Sequence, residues 1–210
     1  MPCWFDFRDP VKPRRHIPFR FQLSEYDCVP TTISNAIAYL YERHEVPPEV
    51  LQRIYLYTLD GVGRRGVSGR GSSDESVRLL AEWLRQFRTQ TFRIGTEFLS
   101  GREVNLGPGN RIVECLNDGG VALCNITYDR GDWHYLLALR ADDERLYFFD
   151  PYWRREIRMR GQHVESIRPP AADGANLAIK RKWLDATSNR RRFCFGSWSN
   201  RDCLLLWRRR

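Results

Sequence analysis

The chain has 210 residues, enough for one domain of ordinary size with a sizeable buried core. Its apolar content of 42% and aromatic content of 13% indicate a globular protein and exclude a disordered one. The net charge of +8 comes mostly from arginine. Because these arginines are scattered over all predicted elements and no nucleic-acid-binding signature accompanies them, we do not expect a nucleic-acid partner.

Hydropathy and cysteine usage exclude several further classes. No apolar run approaches the ~20 residues that span a bilayer, and the first residues lack the apolar segment of a signal peptide. We therefore expect a cytoplasmic protein without a membrane partner. The six cysteines are dispersed without a CxxC pair, and the four histidines show no metal-ligand spacing. A disulfide framework, a structural zinc and a cofactor are accordingly not predicted.

The order of predicted elements, helices first and strands second, favours a single α+β domain over residues 1–210. A Pro- and Arg-rich extended arm precedes a helical half, an antiparallel sheet half and a C-terminal extension. We assign these four parts to residues 1–20, 21–90, 91–170 and 171–210.

Apolar residues recur with helical spacing in three segments of the helical half. Pro30 suits the first turn of the first helix because its missing N–H would be unpaired there. Ser72 and Glu75 fit a capping box for the third helix. Between the second and third helices, the glycine-rich segment 61–73 is interpreted as a solvent loop, with a mobile lid as the alternative. The predicted helices cover about 30–43, 47–60 and 72–87.

The sheet half contains short β-rich runs separated by turns, which is typical of an antiparallel meander. A short helix closed by glycines is predicted over 110–120. The C-terminal extension carries two more strand candidates. The predicted strands cover 91–95, 121–128, 133–140, 145–150, 155–159, 191–198 and 203–207.

Cys28 is a candidate nucleophile because it precedes a predicted helix, whose positive dipole end favours a thiolate. A thiol nucleophile also needs a histidine base, a group that orients this base, and a donor for the oxyanion. His134 opens an apolar strand, and Asp150 ends the next one, so antiparallel pairing would bring them to one edge. Gln22 could supply the amide donor.

Each of these residues also has a structural interpretation. Cys28 could be a half-buried structural thiol, His134 a packing residue, and Asp150 part of a turn before Pro151. The order of the residues along the chain, rather than any one of them, favours the catalytic reading.

The pattern of Gln22, five residues, Asp27-Cys28 and Pro30, followed by His134-Tyr135 on a strand and Asp150-Pro151 at a strand end, resembles the papain-like cysteine peptidases. It is most similar to stand-alone relatives of the bacteriocin-processing, double-glycine-leader peptidases, over roughly residues 20–160. The resemblance implies a papain-like fold with Cys28 as nucleophile, His134 as base, Asp150 as orienting group and Gln22 in the oxyanion hole.

One position departs from this pattern, since Val29 replaces the glycine that usually follows the cysteine. Its branched side chain is expected to narrow the approach to the thiol or to change how a substrate backbone lies. The resemblance predicts a cysteine-dependent peptidase or amidase that forms a thioester, with a peptide or acyl-bearing substrate. An acyltransferase with the same residues and an inactive binding protein on this scaffold are the alternatives.

Overall fold

The computed structural model describes four parts of the chain, residues 17–62, 70–128, 132–153 and 161–209. Most of the predicted arm, the middle of the segment 61–73 and the predicted strand 155–159 lie outside the described residues.

The described residues form an α+β domain in which a seven-stranded antiparallel sheet carries helices on both faces. The helices are α1 Cys28–Leu40, α2 Pro48–Thr58, α3 Asp74–Gln86, α4 Arg111–Asn117 and α5 Arg181–Leu184. The strands are β1 Ile94–Ser100, β2 Val121–Thr127, β3 Trp133–Ala141, β4 Arg145–Phe149, β5 Val164–Ser166, β6 Leu177–Lys180 and β7 Asp202–Arg208. The expected order of a helical half followed by an antiparallel sheet is confirmed.

The three helices of the helical half are confirmed, with corrections at their starts. Helix α1 begins at Cys28, two residues before the predicted start, so Pro30 is its third residue. The capping box predicted for α3 is wrong. Ser73 is the cap, and its hydroxyl accepts the Ser76 N–H at 3.0 Å, whereas the Ser72 hydroxyl donates to the Thr58 carbonyl.

The strands run in the order β1-β7-β2-β3-β4-β6-β5. The predicted meander is the antiparallel series β2, β3 and β4, and the C-terminal extension adds β6 beside β4 and β7 between β1 and β2. Strand β1 begins later than predicted because Thr89 and Phe92 form a turn, in which the Phe92 N–H donates to the Thr89 hydroxyl at 3.0 Å.

One predicted strand of the extension, 191–198, is wrong. Phe193 has a left-handed φ of 59°, which a strand cannot continue through, and its N–H donates to the Thr127 carbonyl at the end of β2. The apolar residues of this segment are buried as irregular chain packed on the sheet. Periodicity alone does not distinguish such a buried segment from a strand.

Alternating strand residues pack on the two faces of the sheet. Tyr135, Leu137 and Leu139 of β3 join the core under α1, α2 and α3, while Leu136 and Ala138 join the core on the face that carries α4. Cys28, at the start of α1, therefore lies in the helical layer on one face of the sheet and meets one end of the sheet. No helix within the described ranges has the length and apolar character that crossing a membrane would require.

Candidate active site

His134 and Asp150 meet at one end of the sheet, as the strand order predicts. Strands β3 and β4 pair antiparallel with Leu137 opposite Phe149, which places the beginning of β3 beside the end of β4. The His134 Nε2 atom lies 2.8 Å from the Asp150 Oδ1 atom. Both residues are buried, since only 5% of the surface of His134 and 3% of that of Asp150 is exposed. Water therefore competes little for this contact.

Asp150 is fixed by two further groups. Its backbone N–H donates to Asn176 Oδ1 at 2.7 Å, and the Asn176 Nδ2 group donates back to the Asp150 carbonyl at 3.0 Å. The Tyr152 N–H donates to Asp150 Oδ1 at 2.9 Å. Because the carboxylate and its backbone are both held, the orientation of the His134 ring is held with them. Asn176 lies just before β6 in the extension, where the sequence offered no signal beyond an Asn preceding a short apolar run.

Cys28 is the first residue of α1 and is half-buried. The Thr32 hydroxyl donates to the Cys28 carbonyl at 2.6 Å and lies 3.3 Å from the Tyr135 carbonyl. The first turn of α1 is therefore joined to β3 one residue after His134. In this turn the Thr31 N–H donates to the Asp27 carbonyl at 3.1 Å and Pro30 has no N–H, so the Cys28 and Val29 N–H groups are the ones without an acceptor within the helix.

The ionisation of His134 reflects this neighbourhood. Burial of the ring is the largest influence and disfavours the charged form. Hydrogen bonding to Asp150 and to the Cys28 sulfur, with the negative charge on both groups, outweighs burial and raises the pKa of His134 to about 9. The site therefore favours an imidazolium flanked by a carboxylate and the Cys28 sulfur.

Asp27 organises the loop that leads to Cys28. Its carboxylate accepts the N–H groups of Leu23 at 3.1 Å and Ser24 at 2.8 Å, and also the Thr31 hydroxyl at 3.2 Å. Burial is the largest influence on this carboxyl and acts to raise its pKa, but the bonds from Leu23 and Ser24 and the other hydrogen bonds lower it overall. A charged Asp27 thus ties the loop to the first turn of α1.

Gln22 lies at the same end of the sheet, and its side-chain amide is bonded to the loop before Cys28. The Gln22 N–H donates to the Pro151 carbonyl at 2.9 Å, which holds this residue beside Asp150. Its Nε2 group donates to the Ser24 carbonyl at 2.6 Å. Its Oε1 atom is buried and has no hydrogen-bond partner among the described residues.

Two solved structures are similar to the chain over most of its length. One is a double-glycine motif protease from an AMS/PCAT transporter, in complex with the leader peptide. It is 13% identical, with a TM-score of 0.39 and coverage of 94% of this chain and 95% of that one. The other is described as a C39-like peptidase from Bacillus anthracis. It is 12% identical, with a TM-score of 0.48 and coverage of 91% and 94%.

No family model matches the chain, and no curated protein matches it significantly. Likeness at this level assigns no role to individual residues, so the geometry of this site has to carry any assignment of chemistry.

The expectation that Val29 narrows the approach to the thiol is wrong. Val29 is 1% exposed and packs into the core beneath α1 together with Ile33. Because its branched side chain points inward, it fills space that a glycine would leave empty rather than obstructing the solvent side of Cys28.

The other two histidines in the described part of the chain lie outside this site. His44 is exposed in a short 3-10 turn, and the His163 ring stacks on Trp183 at 4.3 Å. His16 lies outside the described residues. Within the described part of the chain, no group of three or more His, Cys, Asp or Glu side chains is arranged to hold a metal ion.

Aromatic residues that the sequence did not single out enclose His134. The ring centres of Tyr128 and Tyr152 lie 5.7 and 6.3 Å from the imidazole. The Tyr152 hydroxyl donates to Glu25 at 3.1 Å, which joins the turn after Asp150 to the loop before Cys28. This enclosure strengthens the electrostatic contacts of the imidazole by keeping its surroundings poor in water.

Proposed function

We propose that the chain is a papain-like cysteine hydrolase that cleaves a peptide or amide bond through a thioester on Cys28. The observation that carries the proposal is the buried 2.8 Å contact between His134 and Asp150, next to the thiol at the start of α1. A catalytic cysteine needs a base that is itself oriented by a third group, and this arrangement supplies both.

In the proposed reaction, His134 holds the proton released by the Cys28 thiol. The sulfur attacks the substrate carbonyl carbon, and the C–N bond then breaks as the imidazolium gives its proton to the leaving amine. His134 next takes a proton from water, whose oxygen attacks the thioester and releases the acid. Asp150 accepts from the imidazole throughout and keeps the ring in one orientation.

The oxyanion would be held by the Cys28 N–H and by Gln22. The Cys28 N–H is in the first turn of α1 and has no acceptor within the helix. Gln22 Nε2 carries two N–H groups, of which the Ser24 carbonyl accepts one, and a rotation of the side chain when substrate binds is proposed to direct an N–H to the oxyanion. Its backbone contact with Pro151 would keep it in place during this rotation.

Selective alkylation tests the proposal without knowledge of the substrate. At about pH 6, iodoacetamide should label Cys28 far faster than the other thiols, because a histidine-paired thiolate persists where ordinary thiols are protonated. Cys115 is an internal comparison, since burial raises the pKa of its thiol to about 12. Labelled positions are read by peptide mass spectrometry.

The His134→Ala variant should lose the selective labelling, whereas the variant His44→Ala, which alters an exposed histidine, should keep it. Slow and equal labelling of all thiols in the unmodified protein would contradict the proposal. A screen with a proteome-derived peptide library, read by mass spectrometry, then shows whether peptide bonds are cleaved.

A further inference from the structure

A row of polar side chains crosses the face of the sheet that lies under α1, α2 and α3, beside the proposed nucleophile. Asn125 of β2 is opposite Tyr135 of β3, and Asp202 is the first residue of β7. The Asn125 Nδ2 group donates to Asp202 Oδ2 at 2.6 Å, and the Tyr135 hydroxyl donates to Asp202 Oδ1 at 2.5 Å. Three neighbouring strands thus place three polar side chains in one connected row.

This row lies at the same end of the sheet as the candidate active site. Tyr135 follows His134 in sequence, and its carbonyl lies 3.3 Å from the hydroxyl of Thr32 in α1. Burial is the largest influence that raises the pKa of Tyr135, followed by Asp202 and then by the charge of Cys28. The exposed Asp74 at the start of α3 acts electrostatically on both Tyr135 and Asp202. The row is therefore joined to the first turn of α1 through Tyr135 and is within electrostatic range of the start of α3.

The side chains of this row have hydrogen-bond acceptor capacity that donors among the described residues leave unfilled. The Oδ1 atom of Asn125 is buried and has no hydrogen-bond partner. Asp202 receives side-chain hydrogen bonds only from neutral groups, Asn125 and Tyr135, in the described part of the chain. The nearby cation Arg78 stacks on the Phe98 ring at 4.6 Å instead. Burial raises the pKa of Asp202 to about 6, as expected for a carboxylate without a bonded cation.

Packing does not account for polar groups at these positions. Leu123 and Leu204 are the next residues on the same face of their strands, and both are apolar and 0% exposed. Asn125 and Asp202 retain 9% and 6% exposure. A buried amide oxygen without a donor is rare in folded proteins and calls for an explanation, of which a ligand donor is one.

We infer that Asn125 and Asp202 form a specificity subsite for a basic side chain of the substrate, on the acyl side of the cleaved bond. This inference rests on the proposed function. A guanidinium carries donors for both the free amide oxygen and the carboxylate, and its charge complements Asp202. His134 and Tyr135 point to opposite faces of β3. Cys28, whose sulfur would bond to the acyl carbon, packs on the same face of the sheet as Tyr135, so the row serves the acyl portion.

The test uses irreversible tripeptide probes. Chloromethyl ketones built on alanine carry a single arginine, or its neutral analogue citrulline, at one of the three positions. The Cys28 sulfur displaces chloride from the probe, and intact mass reports the rate of labelling. At one position, arginine should react at least about tenfold faster than citrulline, the effect of one charge-assisted contact. Asp202→Asn should bring this ratio to about one.

Matched variants separate the subsite from general charge and folding effects. Asn125→Leu removes the free amide oxygen at similar volume and should lower the arginine preference, whereas Glu82→Gln removes an exposed charge of α3 and should not. Far-ultraviolet circular dichroism and thermal unfolding confirm that each variant folds. Equal labelling by arginine and citrulline probes at all three positions would overturn the subsite while leaving the proposed hydrolase intact.

A binding measurement keeps the subsite testable if Cys28 proves unreactive. Dye-labelled tripeptide amides of the same sequences are titrated against Cys28→Ala and followed by fluorescence anisotropy. Tighter binding of the arginine peptide, lost in Cys28→Ala/Asp202→Asn, would support the subsite even as absent labelling contradicted the hydrolase. Equal binding of arginine and citrulline peptides would overturn it.

Discussion

Two regions of the sheet hold cysteines in opposite surroundings. In the middle of the sheet, Cys124 and Cys203 are cross-strand partners with sulfur atoms 3.7 Å apart, and both are fully buried. Burial, followed by the neighbouring Cys124 thiol, raises the pKa of Cys203 well above its usual range. At the end of the sheet, Cys28 begins a helix, is half-exposed and faces His134.

The difference shows that position in the fold, rather than residue type, determines what a thiol can do. The sheet interior offers Cys203 neither water nor a cation, so its protonated form is favoured and the residue serves as a small apolar group. The sheet end places Cys28 at a helix terminus, partly exposed and hydrogen-bonded to His134. The same element, one antiparallel sheet, creates both environments.

The largest expected effect comes from replacing the cysteine in each of the two regions by alanine. If the proposed mechanism holds, Cys28→Ala should abolish peptide hydrolysis, and it should change the melting temperature little because Cys28 is only partly buried. Cys203→Ala should retain the activity and lose about 1 kcal/mol of unfolding free energy through the small cavity it leaves. Activity is measured on a peptide identified in the cleavage screen, and stability by urea unfolding.

Two outcomes in these variants would contradict the prediction. Hydrolysis that survives in Cys28→Ala, or a well-folded Cys203→Ala protein without activity, would place the chemistry elsewhere in the molecule.

The sequence predicted the residues of the sheet end better than the way they are held. The proximity of His134, Asp150 and Cys28 could be predicted because strand ends and a helix start are visible in local patterns. Asn176 could not, since it contacts Asp150 only after the chain has passed through β5 and returned as β6. Asp202 reaches Asn125 by the same kind of long return, through β7.

The orientation of side chains was the other limit of sequence reasoning. Val29 was expected at the entrance, yet it is a core residue, because helix α1 starts earlier than Pro30 indicates and turns that side chain inward. Gln22 has the predicted spacing from Cys28, but hydrogen bonding directs its amide to Ser24. Spacing along a loop does not fix the direction in which a flexible side chain points.

The next largest effect concerns the group that orients the imidazole. Asp150→Asn preserves the size of the side chain but removes its charge, and its amide can hold the ring in the wrong tautomer. We expect kcat to fall by a factor of about 100 to 10,000. Asp142→Asn, which changes an exposed aspartate in the turn between β3 and β4, at the other end of these strands, is the matched control and should leave kcat unchanged. Equal effects in the two variants would exclude the orienting role.

A smaller loss is expected at the proposed oxyanion donor. Gln22→Ala should lower kcat about 100-fold with little change in KM, since the amide would contact the substrate mainly in the transition state. Gln86→Ala removes a glutamine that bonds Glu82 on the surface of α3, and it should have no effect. If Gln22→Ala instead raised KM alone, the residue would bind substrate rather than stabilise the oxyanion.

The smallest expected effect is a shift in the pH dependence of stability and of kcat/KM. It would distinguish the surroundings of Cys28, which include His134, from those of Cys203. The folded pKa of His134, about 9, lies above the value of about 6.5 for an unfolded histidine. The folded protein therefore holds this proton more tightly, so the associated stability is complete below about pH 6.5 and is lost as the pH rises through about 9.

In the same range kcat/KM should fall as the imidazolium disappears. Asp150→Asn should move this upper limb to lower pH, whereas Cys203→Ala should not move it. An upper limb at the same pH in all three proteins would show that His134 does not govern it.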